Sequence, residues 1–304
     1  MAVHALTPPS RRHRVRRTVY AYLFVAPYVL FLLAFGIGPA VYGLALSLID
    51  TTKTTWRFSG FTNFGTAFSD YRIGASFVHA LEYLGIGLPL TAVAVLTLAL
   101  LLHARPGRLT SAFRTIYYLP GAVTGSAAVL LWIFILTPDY SPFGVVLRAV
   151  GLSSRNAVLT TGHFPAIFAL MSLFTGAGGT VVILYSALLG ISTELYEAAA
   201  MDGCNAWQAA IYIKIPLVAK YLVFMLILAF SGGFQIFAEP QLMSQVAPTT
   251  TDLGNWSPNE LSYNYAFTLG NFGVSAAIAL GLIAVGLIGA AVVVFRTNFY
   301  RIDV

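Results

Sequence analysis

Few residues in this chain have the types and spacing to do chemistry. His79, Glu82 and His163 are the loose candidates for acid–base work or metal ligation, and their spacing fits no metal motif. Charged side chains inside apolar runs usually mark ion or proton paths, and the apolar runs here hold essentially none. His79 and Glu82 fall near one end of such a run and Glu239 just beyond another, where a carboxylate or imidazole reaches interfacial water. Cys204 is the single cysteine, so neither an intrachain disulfide nor a thiolate metal cluster can form. No Walker-type glycine loop with lysine occurs, so the chain does not bind and hydrolyse ATP by that means. What remains is amide and aromatic chemistry. Ser231, Gly232, Gly233, Phe234, Gln235, Ile236 and Phe237 gather small, aromatic and amide groups at one end of an apolar run. Gln235 has two readings: a hydrogen bond to a hydroxyl-rich solute with Phe234 or Phe237 stacking on its ring, or a bond to a neighbouring helix. The glycines would allow close packing or local unwinding. Asn271 is a polar residue within the last run, either solute-facing or a packing clamp.

A second stretch is mechanical rather than chemical. Ser192 can cap a helix whose first turns carry Glu194 and Glu197 at the favourable end of the helix dipole. Ala198, Ala199 and Ala200 make that helix slim and strongly helical. Gly203 stands where a left-handed residue would stop it. Asn205 and Gln208 then have the spacing of a capping box, and Pro216 suits the first turn of a further helix. The spacing predicts helix, sharp turn, helix over about 192–215.

The elements around these residues follow from composition. Of 304 residues, 58% are hydrophobic and 9% charged, against roughly 25% charged in soluble domains. There is too little polar surface for solubility, so the chain is all-α and spans a membrane several times. Six spans are expected, over 18–49 (with Pro27 and Pro39 as bending points), 73–102, 113–137, 164–193, 216–238 and 264–295. The first reads as a retained helix rather than a cleaved signal. Loops over 50–72, 138–163 and 239–263 lie on one side, the first with a small amphipathic segment. A basic, mobile tail over 1–17, the tight basic turn at 103–108 with Arg114 just after it, the 192–215 loop with Lys220 just after it and a tail over 296–304 lie on the other, with 18–304 as one transmembrane domain. Twelve of the seventeen Lys and Arg fall on that second side. By the positive-inside rule both termini and the 192–215 loop are cytoplasmic. Arg11, Arg12, Arg14, Arg16 and Arg17 therefore read as a topology signal facing anionic lipid rather than as a nucleic-acid-binding arm.

Glu197, Ala198, Ala199, Gly203, Ile213 and Pro216 stand at the offsets of the E-A-A, three residues, G, nine residues, I-x-L-P pattern. The stretch resembles the EAA loop of the membrane-spanning subunits of bacterial ATP-binding cassette (ABC) importers, with Ile215 in place of the leucine. Phe61 to Phe64 is similar to the G-F-x-N-F element of sugar-importer permeases, and Phe113-Arg114 to Leu119-Pro120 to their F-R-x-x-x-x-L-P element. Phe234 to Phe237 looks like their F-Q-x-F run, departing at Ala238 and Glu239 where an Asp is frequent. Tyr263 to Phe267 and Gly273 to Ala277 continue the likeness.

The resemblance implies a type I ABC importer permease in the bacterial inner membrane, not itself an enzyme and holding no cofactor, ATP being bound by a partner ATPase. It implies as partners a second homologous permease, ABC ATPase subunits, an external solute-binding protein and the bilayer. Glu197, Ala198, Ala199, Asp202, Gly203, Ile213 and Pro216 would then couple to the ATPase. Phe234, Gln235, Phe237 and Asn271 are the candidate solute path. The solute is left open between sugars and glycerol-3-phosphate or glycerophosphodiesters. A secondary carrier and an integral-membrane enzyme stay as other classes, distinguished by ion-gradient dependence and by a polar cluster at the membrane face.

Overall fold

A computed structural model describes residues 11–52, 56–104, 107–123, 125–246 and 255–296. The expected tail segments 1–10 and 297–304 lie outside them. Helix α1 (Arg11–Phe31) already includes the five arginines, so this part of the expected tail is continuous with the first span. A π-turn (Leu32–Ile37) joins it to α2 (Gly38–Ser47) just before Pro39. Proline has no N–H and its ring crowds the carbonyl four residues back, and a wider turn takes up that defect. A two-residue antiparallel pair, β1 (Ile49–Asp50) with β2 (Arg57–Phe58), follows. Then come α3 (Thr62–Ser69), which is the expected amphipathic segment, and the 34-residue α4 (Tyr71–Ala104).

The expected third span is broken. Helix α5 (Arg108–Tyr118) ends in a 3₁₀ turn at Leu119–Ala122, and α6 (Ser126–Ile135) sets off in a new direction. Pro120 and Gly121 occupy that turn, and both are poor residues for a helix interior. The loop that follows holds α7 (Gly144–Ala149) and α8 (Arg155–Val158) before α9 (Phe164–Leu189). Helix α10 (Thr193–Met201) turns into α11 (Ala206–Ala209), a π-turn (Ala210–Lys214) and α12 (Ile215–Gly233). The expected outer loop 239–263 is partly helical, as α13 (Ala238–Val246) and α14 (Pro258–Tyr263). A π-turn (Asn264–Thr268) and a break at Gly270 precede α15 (Phe272–Arg296).

Among the described residues five helices are long and apolar enough to cross a membrane, and counting the bent α5–α6 pair as one span makes six. Helices α4 and α9 pack along their length and carry two of the three apolar cores. The core farther from α10 centres on Trp256, which is fully buried. Phe168 meets it edge-on at 4.7 Å and His79 stacks on it at 5.6 Å. The core nearer α10 joins Val95, Leu102, Leu184, Leu188 and Val218. Helix α2 packs on α15, while the α1–α2 span has no residue buried over its most apolar window. That apolar surface is for lipid or another subunit to cover.

Candidate functional site

The 192–216 stretch is a loop fastened at both ends of its turn. Gly203 has φ +80°, the left-handed region. Its N–H donates to Ala200 O at 3.1 Å and the Cys204 N–H to Ala199 O at 3.0 Å. These two bonds are the Schellman pattern, which satisfies carbonyls otherwise left orphaned at the helix end. Immediately beyond, Asn205 Oδ1 accepts from the Gln208 N–H and Gln208 Oε1 from the Asn205 N–H, both at 2.9 Å. The expected capping box is therefore present. Ser192 sits at the N-cap with extended backbone, but its side chain accepts no capping bond. Pro216 does not begin a separate helix. The helix runs from Ala206 to Gly233, and Pro216 follows a π-turn in which Ile215 N–H reaches Ala210 O.

This arrangement presents α10 outward. Glu197, Ala198, Asp202 and Gly203 are exposed, Met201 is 89% exposed and Trp207 is 74% exposed. An exposed Met and Trp flanking an alanine face leave an apolar patch with acidic neighbours. Ile213 is half-buried at the helix base.

Sequence reasoning missed the joint beneath α10. The Tyr196 ring lies 5.9 Å from the His103 ring at the end of α4, and Lys214 Nζ stands 5.1 Å over the same ring. His103 Nδ1 is 3.2 Å from Lys214 Nζ, and Tyr185 of α9 meets His103 edge-on. One aromatic ring therefore touches residues from the second and fifth spans. Burial pushes the Tyr196 hydroxyl pKa up, and that oxygen has no hydrogen-bond partner. The signal available in the sequence was an aromatic one residue before the Glu197-Ala198-Ala199 run.

At the opposite end the solute-path candidates separate. Phe234 is buried against Phe77 and Phe230, so it does not line a path in this conformation. Next to it Gly233 is pressed so closely on Leu84 that a Cβ would overlap it. Gln235 is exposed; its Nε2 donates weakly to Ser231 O at 3.3 Å, and its own carbonyl accepts from Asn259 Nδ2 at 3.0 Å. Phe237 lies 5.0 Å from Tyr263, which lies 4.8 Å from Phe267. Tyr263 and Phe267 are exposed, so these three rings with Gln235 and Asn259 form one aromatic and amide face. Asn271 is not inside a span. It caps α15, Oδ1 accepting from the Val274 N–H at 3.1 Å. The difference came from placing the helix start eight residues early, at 264 rather than Phe272.

A buried polar knot borders this face. Ser257 Oγ donates to Ile236 O at 2.6 Å and accepts from the Glu260 N–H, while Glu260 Oε2 accepts from the Trp256 N–H at 3.1 Å. Burial pushes the Glu260 carboxyl up to about 8. On α3 and its neighbours, the Arg72 guanidinium beside Asp70 holds that carboxyl down at about 2, and Tyr265 donates its hydroxyl to the same group. Among the described residues no three His, Cys, Asp or Glu stand together as a metal site would require.

Comparison with known proteins adds the family. Residues 83–301 match the model of the binding-protein-dependent transport system inner membrane component. The chain is 25% identical over 296 residues to the arabinooligosaccharides transport system permease AraP of Bacillus subtilis, covering 94% of this chain and 92% of that one. It is 28% identical over 287 residues to the sn-glycerol-3-phosphate transport system permease UgpA of Rhizobium meliloti, covering 91% and 94%. Its fold is similar to a chain of a bacterial alginate ABC transporter solved with an alginate pentasaccharide-bound periplasmic protein, with TM-score 0.78, 20% identity and coverage of 92% and 94%. A several-span helical chain with a capped, outward-facing loop, matched over most of its length by this family model, belongs to the binding-protein-dependent inner-membrane components of ABC importers, a transport subunit and not an enzyme.

Proposed function

We propose that this chain is the permease subunit of an ATP-driven importer for a carbohydrate or carbohydrate-like solute, delivered by an external binding protein. The observation that carries the reading is the α10–α11 pair: α10 is ended by a Schellman turn and α11 is opened by a capping box, yet Met201 and Trp207 between and beside them are exposed. A helix held so firmly and left uncovered is built to be covered by another protein. On this reading a separate ATPase grips the Glu197–Gly203 segment, and Tyr196 passes its displacement to the second and fifth spans. A second, homologous permease covers the exposed apolar faces. The Lys/Arg distribution supports a cytoplasmic location for both termini and α10 on this reading. Phe237, Tyr263 and Phe267, with Gln235 and Asn259, offer stacking faces and hydrogen-bonding groups suited to a sugar ring.

The test is purification of the tagged full chain in mild detergent with cross-linking through Cys204, which is partly accessible. A cross-link to a co-purifying ATPase is the expected result. A chain that purifies alone and transports in liposomes without ATP would replace this reading with a secondary carrier.

A further inference from the structure

One face of α5 carries a guanidinium that has no counter-ion among the described residues. Ser111, Arg114, Thr115 and Tyr118 fall at i, i+3, i+4 and i+7 and, with Val182 of α9, line an open cavity of about 330 Å³. Arg114 Nε is buried with no acceptor, and among the described residues no carboxylate or carbonyl pairs with the group. Its one partner is the Tyr185 ring, 4.8 Å from the guanidinium carbon. A guanidinium cannot shed its charge, so leaving it half-buried and unpaired is costly unless an anion arrives from outside. Aromatic stacking holds the plane of the fork and leaves its edge for that anion.

The surroundings specify the anion. The Tyr118 hydroxyl and that of Ser111 are donors on the same face, while Thr115 Oγ1 turns back to Ser111 O at 3.2 Å. A guanidinium fork with hydroxyl donors matches the oxygens of a phosphate group. The cavity lies at the α10 end of the molecule, since Tyr185 also meets His103, which meets Tyr196. Exposed Arg108 opens the same helix, so the local field favours an anion. Val182 and the Tyr118 ring supply an apolar wall beside the charged group.

We propose that Arg114, Ser111 and Tyr118 bind a phosphate ester, presented either as a membrane phospholipid headgroup or as a soluble phosphate compound. The site is separate from the aromatic and amide face of Gln235, Phe237 and Tyr263, which lies at the other end of the molecule.

The full chain, purified in mild detergent and stripped of lipid, is titrated with short-chain phosphatidylglycerol and followed by native mass spectrometry. Arg114→Gln is expected to weaken binding roughly tenfold or more, with Arg114→Lys intermediate because it keeps the charge and loses the fork. Tyr118→Phe gives a smaller loss. Lipid that millimolar inorganic phosphate does not displace identifies a headgroup site, and lipid that it displaces identifies a soluble-phosphate site. Equal binding by the wild type, Arg114→Gln and Tyr118→Phe overturns the proposal. So does capture of another protein subunit by a cross-linker at Ser111→Cys together with no bound lipid. Should Arg114→Gln not fold, the Ser111→Ala, Tyr118→Phe pair decides in its place.

Discussion

Asn63 and Gly273 stand so close that no side chain fits between them. The Asn63 amide donates to Ser47 O at 2.9 Å and to Ile49 O at 2.8 Å, tying α3 to the end of α2. A Cβ on Gly273 would lie 2.5 Å from Asn63 Nδ2 and 2.6 Å from Ile49 O. The Gly273 N–H itself donates to Thr51 Oγ1 at 3.0 Å. The first span, the β1–β2 pair and the last span therefore meet at one amide. Gly273→Ala is expected to lower stability by roughly 1–3 kcal/mol, the usual cost of overpacking. Asn63→Ala leaves two carbonyls without this donor and is expected to cost a similar amount. Thermal unfolding in detergent checks both, and unchanged midpoints would refute the clamp.

Gly203→Val is expected to uncouple transport while membrane insertion stays intact. No neighbour lies within 4 Å of the site, so the cost is backbone strain at φ +80°, about 1–2 kcal/mol for a residue with a Cβ. Gly203→Asn, which tolerates the left-handed region, is expected to retain more activity. Transport assayed beside ATP hydrolysis separates coupling from folding, and a normal rate in the valine variant would count against the role.

Tyr196→Phe is expected to be neutral or slightly stabilising, because the hydroxyl it removes is buried without a partner. Tyr196→Ala removes the ring that meets His103 and Lys214 and should cut transport per ATP hydrolysed several-fold. Equal coupling in the alanine variant would show that force travels by another route.

Phe237→Ala and Tyr263→Ala should raise the KM for solute uptake with little change in thermal midpoint. Phe234→Ala should do the reverse, lowering stability by roughly 3–5 kcal/mol as buried aromatic truncations do. A KM effect confined to Phe234 would mean that the transporting conformation exposes it.

Glu260 gives a pH signature. Its carboxyl is raised to about 8 by burial, from 4.5. The group contributes full stability below about 4.5, and that contribution is lost as pH rises to about 8. The thermal midpoint should therefore fall across this window and level above it, and Glu260→Gln should flatten the profile. His79→Gln, at the ring stacked on Trp256, serves as the neighbouring control.

Much of this molecule was legible in its sequence because the signals are local. Membrane spans follow from apolar composition alone, since an unpaired backbone cannot cross lipid. The turn after α10 follows from Gly203, and the following cap from Asn205 and Gln208, because each interaction closes within a few residues. The broken third span, the early start assigned to the last one and the placement of Phe234 and Asn271 were not legible. Each depends on a neighbour far along the chain or on a proline whose effect varies with context. Pro89 sits inside α4 without ending it, whereas Pro120 falls in a turn that does.

The sequence by itself determined an all-helical membrane chain with a capped loop between its fourth and fifth spans. Composition and near-neighbour spacing are sufficient for that, and burial plays no part in it. Only the tertiary structure decided which aromatic side chains face outward, that Tyr196 rests on His103 and Lys214, and that among the described residues no carboxylate stands beside Arg114. These are relations between residues far apart in the chain, and close packing rather than local preference sets them.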